Sequence, residues 1–377
     1  MKLYPEGEAV ARFKIRGVLF TETCRFADSH KRDKFVSKED RMTAIRVRHP
    51  RGGEGMIYLI TNGNAKSGGG SKCSKVVQLL RDEAETRGIK AKEFFKVLRT
   101  KKAGDATLFV RDICHMDEPA DIWVFGGDGT INEAVNGLEV PSKVTIAFLP
   151  GGSGNDYVKG LGLPKDPVAC AKLLLSTNRT KGYDLGFVDT FGASGTVRFA
   201  GSCGLGYDAK VCHEVDTSRL KKVLNKLHLG KLVYLMVAFK QVFANPRFRA
   251  TVIIDGVIRS YEDVIYLCFM NSPYEGGGLK MAPGADPCDG KLQVVLAHEI
   301  RPIRVLTMLP GLVRGTHVKH PKVECFTCRQ IEVIADNRQF LHTDGDVQAF
   351  TRHIRVQCYE TPMRMPAFSD ADSIYEK

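Results

Sequence analysis

The sequence predicts an α/β domain with a doubly wound, mostly parallel sheet, followed by a second, mainly antiparallel β-sandwich domain. Three observations carry this. Strands that are apolar on both faces recur between residues 56 and 149, and each runs into glycines and then a helical pattern. After about residue 181 the rhythm changes to shorter alternating segments. The length of 377 residues, 43% apolar and 26% charged, is enough for two domains of ordinary globular composition.

Residues 1–55 hold one short strand pattern, Phe13 to Phe20, and end in the glycine-rich Arg51-Gly52-Gly53-Glu54-Gly55. They are expected to form a solvated extension of unassigned role, and Met56 is a candidate alternative start of translation. From Met56 to residue 180 the α/β domain is expected. Met56-Ile57-Tyr58-Leu59-Ile60 is its first strand and Asn62 to Gly70 a glycine loop. A helix should run from an N-cap at Ser71 to a stop at Gly88, burying Val76, Val77, Leu79, Leu80 and Ala84. Ile122 to Phe125 and Val144 to Leu149 are two more apolar strands that run straight into glycines. Parallel sheets bind ligands at the carboxyl ends of their strands, so three glycine loops should converge on one edge.

Residues 181–360 should form the β domain, with strands near 197–202, 250–255, 263–271, 292–298 and 330–335 and helices near 217–244 and 302–312. Residues 361–377 read as a tail. The longest apolar stretch, Leu232 to Phe239, is far short of the roughly 18 residues a spanning helix needs.

The net charge of +12 favours polyanionic partners. Thirteen basic and eight acidic residues precede Met56, so the rest is only mildly basic, which weighs against nucleic acid. Eleven scattered cysteines, an odd number, and no apolar signal segment point to reduced cytosolic thiols.

The strongest motif is Gly126-Gly127-Asp128-Gly129-Thr130, where a strand enters a turn with three glycines and a helix begins at Thr130. Unhindered N–H groups and a positive helix end then face one point, which suits phosphate. Thr130 can cap the helix or bond a phosphate, and Glu133 can reach a ribose hydroxyl or a metal-bound water. A tight turn with an Asp-Gly cap is the plainer reading. Upstream, Asn64, Lys66 and Ser67 supply polar donors and a cation at the first strand's end, without the Gly-Lys-Ser/Thr ending of a P-loop. Downstream, Gly152, Ser153, Asn155 and Asp156 close the third strand, and the last two can hold a metal or a substrate hydroxyl.

These segments, with Asn132, Asn136 and Gly137, resemble in order and spacing the catalytic domain of diacylglycerol kinases and related lipid kinases. The similarity continues through Gly204 to Ala209, Asn271-Ser272 with Gly276 to Gly278, Pro283 to Leu292 and Asp344-Gly345-Asp346, landmarks of the soluble bacterial branch. It spans about residues 56 to 360. Two departures exist: Ala65 stands where a proline is usual, and Asp346 where a glutamate is usual.

The resemblance implies phosphorylation of a lipid hydroxyl, with ATP and Mg²⁺, in a cleft between the two domains. It makes Asp344 the base that takes the hydroxyl proton, oriented by Asp346, with Asp128 as second candidate. The residue types suit phosphoryl transfer, which needs positioning and charge neutralisation. An Asp344→Asn protein is then expected to lose transfer and keep its fold. A Gly127→Val protein is expected to lose ATP affinity because a side chain intrudes where phosphate approaches the backbone. Taken alone, Asp344-Gly345 is a strong hairpin-turn signal. The loop from Asp286 to Lys291 resembles the family's structural Mg²⁺ loop, with Asp289 and then Asp286 as ligands, and an ordinary Asp-Gly turn is the other reading.

Two further motifs carry less. Gly204 to Ala209 matches a loose dinucleotide fingerprint but follows the switch to antiparallel patterning. His317, His320, Cys325 and Cys328 have zinc-like spacing, yet on a strand positions three apart face opposite sides. Arg219 to Lys226 and Lys231 to Lys240 place cations beside an apolar helix, which suits docking on anionic headgroups or a core helix with a basic edge. The expected protein is a cytoplasmic, peripherally membrane-associated lipid kinase whose partners are ATP and a lipid at the membrane surface. Nucleic acid is not expected, and a homodimer is compatible with the sequence. An NAD kinase, which shares the Gly-Gly-Asp-Gly loop, is the enzymatic alternative. A nonenzymatic basic module that binds nucleic acid or membranes is the other.

Overall fold

A computed structural model describes residues 8–15, 18–25, 45–46, 56–62, 69–141, 143–177, 179–191, 195–217, 230–244, 247–359 and 361–367. The chain divides into two units, Met1–Asp40 and Arg41–Lys377. The first contains an antiparallel pair of strands, β1 (Glu8–Ile15) and β2 (Val18–Arg25). The single strand expected over Phe13 to Phe20 is therefore divided between two paired strands.

The second unit has two lobes. In its α/β lobe, β4 (Met56–Asn62), β5 (Phe95–Thr100), β6 (Ala120–Gly126) and β7 (Thr145–Pro150) form a parallel sheet in the order β5-β4-β6-β7. Helix α1 (Gly69–Thr86) buries Val76, Leu80 and Ala84, and the chain leaves it through Gly88 at φ +67°. A short turn of helix, α2 (Ala91–Phe94), leads into β5. Helix α3 (Asp105–Cys114) precedes β6, and α4 (Asp128–Asn136) follows it after one glycine. Helices α5 (Asp156–Gly160) and α6 (Pro167–Ser176) complete the lobe. Because β4 connects outward to β5 and β6 outward to β7, the strand order reverses between β4 and β6. A ligand crevice opens at such a reversal.

The β lobe is a nine-stranded antiparallel sheet. It contains β9 (Gly186–Asp189), β10 (Thr196–Phe199), β11 (Ser202–Gly206), β12 (Phe248–Ile254), β13 (Val257–Met270), β14 (Leu292–His298), β15 (Val323–Cys328), β16 (Gln330–Thr343) and β17 (Asp346–Cys358). Strand β12 pairs with both β13 and β16, which folds the sheet over a core that includes Phe199, Leu205, Phe248 and Phe269. Helices α7 (Tyr207–Thr217), α8 (Gly230–Ala244) and α9 (Pro302–Arg314) are inserted between strands.

The ends of the chain differ from expectation. Residues Met363–Pro366, read as tail, form a strand that pairs with β8 (Arg179–Tyr183). Strand β8 also pairs with β3 (Ile45–Arg46), inside the segment read as a solvated extension. Met363 and Met365 are buried in the α/β core, and this apolar anchoring holds the C-terminal strand in place.

Candidate active site

Backbone packing builds the floor of the crevice. Gly151 N–H donates to Gly126 O at 2.8 Å, so the loops after β6 and β7 lie against each other. A Cβ on Gly152 would lie 2.5 Å from Gly127 Cα, and one on Gly127 would lie 3.1 Å from Gly152 Cα. The glycines thus permit the two loops to touch. This changes the reason a valine at 127 would be harmful: it would wedge the loops apart.

Asp128 opens α4 and faces the next loop, with Oδ2 accepting from Asn155 N–H and Oδ1 from Asp156 N–H, both at 2.9 Å. Burial pushes its carboxyl above the ordinary value, against the pull of those bonds. Asn155 sits at φ 54° and ties up its own loop, its Oδ1 accepting from Gly152 N–H and its Nδ2 donating to Gly152 O. Its side chain therefore shapes the turn. Glu133 differs from expectation. Its carboxylate accepts from Ala106 N–H at 3.2 Å, in the first turn of α3, because its position on α4 points it toward that helix end.

Asp156 has a pKa pushed up to about 6 by burial first, then by the charges of Asp128 and Glu275, against a bond from Gly277 N–H. Its Oδ2 accepts that bond at 2.7 Å, while its Oδ1 is buried without a hydrogen-bond partner. Lys159, one turn on, donates to Gly278 O at 3.3 Å and lies 3.9 Å from the centre of the Tyr274 ring. Both contacts link α5 to a loop of the β lobe.

The β lobe presents Asp344 and Asp346 at the hairpin between β16 and β17. Thr343 pairs with Asp346, and Asp344 and Gly345 form a two-residue turn at φ 49° and 88°. The turn and the candidate site are the same residues. Asp344 Oδ1 accepts from Gly201 N–H at 2.8 Å and Ser202 N–H at 2.9 Å. Its Oδ2 accepts from Ala200 N–H at 2.9 Å and from Asn132 Nδ2 at 3.0 Å. Burial raises its pKa, opposed by these four donors. Asn132 belongs to α4, so this contact locks the acidic hairpin over the helix that opens at Asp128. Asp346 lies over the first turn of α4, its Oδ2 3.6 Å from where a Cβ on Gly129 would stand.

Residues Asn64, Lys66 and Ser67, together with the basic segment Arg219 to Lys226, lie outside the described residues. Ser153 is exposed on the loop after β7. In the loop expected to hold a cation, Asp286 Oδ1 accepts from Cys288 N–H and Asp289 Oδ1 from Lys291 N–H. These are side-chain turns. The loop is also pinned by Asp184, 1% exposed, which accepts from Gly290 N–H at 2.6 Å. The Gly204 to Ala209 segment is the end of antiparallel β11 and the start of α7. Cys325 is exposed and Cys328 buried, on opposite faces of β15.

Sequence reasoning missed one cluster. His342 Nε2 lies 3.1 Å from both Asp208 Oδ2 and Glu275 Oε1. Ser202 Oγ donates to Glu275 and the Cys268 thiol to Asp208, each at 3.0 Å. The His342, Asp208 and Glu275 ligand atoms lie within 4.8 Å of one another, a spacing that a divalent cation could use. However, Gly345 N–H points at Nδ1 at 3.2 Å, which puts the ring proton on Nε2, between the carboxylates. Hydrogen bonds therefore close the cluster. The three residues belong to α7, the loop after β13, and β16, and no local spacing relates them.

The pKa of Asp156 makes a stability prediction. Its folded value, about 6, exceeds the ordinary carboxylate value of 3.8, so the folded state favours the neutral form. Below about pH 4 both states are protonated and nothing is lost. Between about pH 4 and 6 the unfolded chain releases its proton first and stability falls, and above about 6 the full cost applies. Asp156→Asn should therefore stabilise the unliganded protein at pH 7.5, by on the order of 2 kcal/mol, and leave it unchanged at pH 4. Thermal melts at the two pH values measure this, and equal shifts at both would contradict it.

Glycine turns at the carboxyl ends of parallel strands, opposed by carboxylates from a β lobe, define a two-lobed kinase architecture. Residues 56–188 match the diacylglycerol kinase catalytic domain, and residues 201–359 match the YegS C-terminal NAD kinase beta sandwich-like domain. The chain thus carries a match to a diacylglycerol kinase catalytic domain followed by a match to a YegS C-terminal domain. It is 26% identical over 280 residues to "Putative lipid kinase YtlR" of Bacillus subtilis (strain 168), covering 74% of this chain and 90% of that protein. It is 27% identical over 251 residues to a diacylglycerol kinase of Staphylococcus haemolyticus (strain JCSC1435), covering 66% and 71%. Among solved structures, a diacylglycerol kinase from Bacillus anthracis str. Sterne superposes with a TM-score of 0.58 at 20% identity, over 84% of this chain and 97% of that one. A further structure from that strain gives 0.64 at 21%, over 84% and 96%. These likenesses place the fold. Among the described residues, no helix is long and apolar enough to cross a membrane.

Proposed function

We propose that this chain is an ATP-dependent lipid kinase that transfers the γ-phosphate to a hydroxyl of diacylglycerol or a similar long-chain alcohol at a membrane surface. The observation that carries the reading is the Asn132–Asp344 contact, 3.0 Å across the lobes, which sets the acidic hairpin over the helix end that follows the glycine turn. The crevice floor of Gly126, Gly127 and Gly152 would receive the triphosphate, with the start of α4 contributing positive potential. Asp344 would take the hydroxyl proton. Each of its oxygens already accepts two hydrogen bonds, so one lone pair must be released. The donor able to yield is Asn132, because it comes from the opposite lobe.

Asp156 has the character of a cation ligand, since its buried Oδ1 lacks a partner, and Asp128 stands beside it, accepting from its N–H. Mg²⁺ held there would neutralise phosphate charge. Asp128, held by two backbone N–H groups, would act as a fixed charge there. Asp286 and Asp289 remain the proposed holders of a second, structural Mg²⁺.

Incubation with radiolabelled ATP and Mg²⁺, with either a total lipid extract or NAD as acceptor, tests the proposal. Label should enter the organic phase. Label on NAD would make the protein an NAD kinase, and strongly salt-dependent polyanion binding without turnover would make it a nonenzymatic module.

A further inference from the structure

Helix α8 is amphipathic in an unusual sense. Its inner face carries Val237 and Ala238, which pack against Val211 and Val215 of α7, and Gln241 and Val242, which are buried. Its outer face carries Met236, Phe239 and Phe243, 57%, 56% and 57% exposed. Their spacing of three and four residues makes one continuous stripe, and the two phenylalanine rings meet edge to face at 5.7 Å. Helix α9 touches α8. It rests on the β lobe through Val305, Met308 and Leu312, buries none of its residues, and exposes Ile303 and Val313. Neither Gly230–Ala244 nor Pro302–Arg314 contains an aspartate or glutamate, while Lys240, Arg304 and Arg314 are exposed, as is Arg301 just before α9.

Exposed apolar surface of this kind is costly unless something covers it. We propose that the outer face of α8 and α9 docks on an anionic lipid bilayer, with the phenylalanines entering the headgroup boundary and the arginines meeting lipid phosphates. This rests on the lipid-kinase reading and names the surface that brings that site to its substrate. A second copy of the chain fits less well, because a two-fold contact through this face would bury the arginines of both copies with no acidic partner on either helix. The site is connected to the face through one loop: Gly277 N–H bonds Asp156, and three residues later Lys280 N–H bonds Leu312 O in α9.

Flotation of the full-length protein with vesicles tests this without nucleotide or turnover, so its failure is separable from failure of the kinase reading. Wild type should bind vesicles of equal phosphatidylcholine and phosphatidylglycerol and bind phosphatidylcholine alone far more weakly. Phe239→Ser with Phe243→Ser should lower binding to the anionic vesicles about tenfold or more. Arg304→Ser with Arg314→Ser should lower it by roughly an order of magnitude and remove the anionic preference. Both pairs are exposed, so melting temperature and turnover of a soluble short-chain acceptor should stay at wild-type values. Wild type that binds neither vesicle or both equally would overturn the proposal. So would a phenylalanine variant that still binds like wild type, or one whose only change is conversion of a dimer to a monomer.

Discussion

Asp344→Asn is expected to reduce phosphoryl transfer by about a thousandfold, the scale on which a general base contributes. It is also expected to destabilise the protein, by about 2 kcal/mol. The second effect revises the expectation from sequence that the fold would be untouched. Oδ1 receives the N–H groups of Gly201 and Ser202, and Oδ2 receives Ala200 N–H and Asn132 Nδ2. An amide offers one oxygen, so in either orientation its NH₂ confronts two donors. Relief from burying a charge offsets part of this loss. Asn132→Ala provides the control, since it removes one donor and keeps the carboxylate. It should lower stability by about 1 kcal/mol and retain far more activity than Asp344→Asn. Turnover, thermal melts and nucleotide affinity on the two variants separate the roles. Near-normal turnover in Asp344→Asn would discard Asp344 as base and direct attention to Asp128, the second candidate, at the start of α4.

Gly152→Ala is expected to be the most damaging single-methyl change in the crevice. The added Cβ would meet Gly127 Cα at 2.5 Å, Asn155 Oδ1 at 3.2 Å and Gly127 N at 3.3 Å. The nearest of these is backbone and cannot rotate away, so the loops after β6 and β7 must separate. Overpacking of this severity costs about 3 kcal/mol. The same separation would scatter the N–H groups that face the phosphate, so ATP affinity should fall at least tenfold in calorimetry. Ser153→Ala, one residue on and exposed, should leave stability unchanged. A Gly152→Ala protein that melts and binds ATP like wild type would show that the close approach of the two loops is not what shapes the site.

Much of the α/β lobe is legible in order. The first strand begins at Met56, the helix after it ends before Gly88, and strands run into the Gly126 and Gly151 loops. Apolar periodicity and glycine placement are short-range signals, and short-range sterics decide these elements. The Asp344-Gly345 turn is legible for the same reason. The β lobe was readable as a class and less so in its boundaries, because strands such as Val257–Met270 are partly exposed and carry charges along half their length.

What the order of residues settled, then, is the kind of lobe, the positions of the glycine turns and which acidic residues border them, since each follows from neighbours a few positions apart. Only the folded chain settled which groups each carboxylate meets. Asp344 meets a donor 212 positions away, His342 meets Asp208 across 134, and Gly277 reaches Asp156 across 121. Glu133 turned to a helix end, and Asp156 was left with one oxygen buried and unpaired. Hydrogen bonding and desolvation depend on which groups converge in space, and that convergence is set by how the two lobes pack.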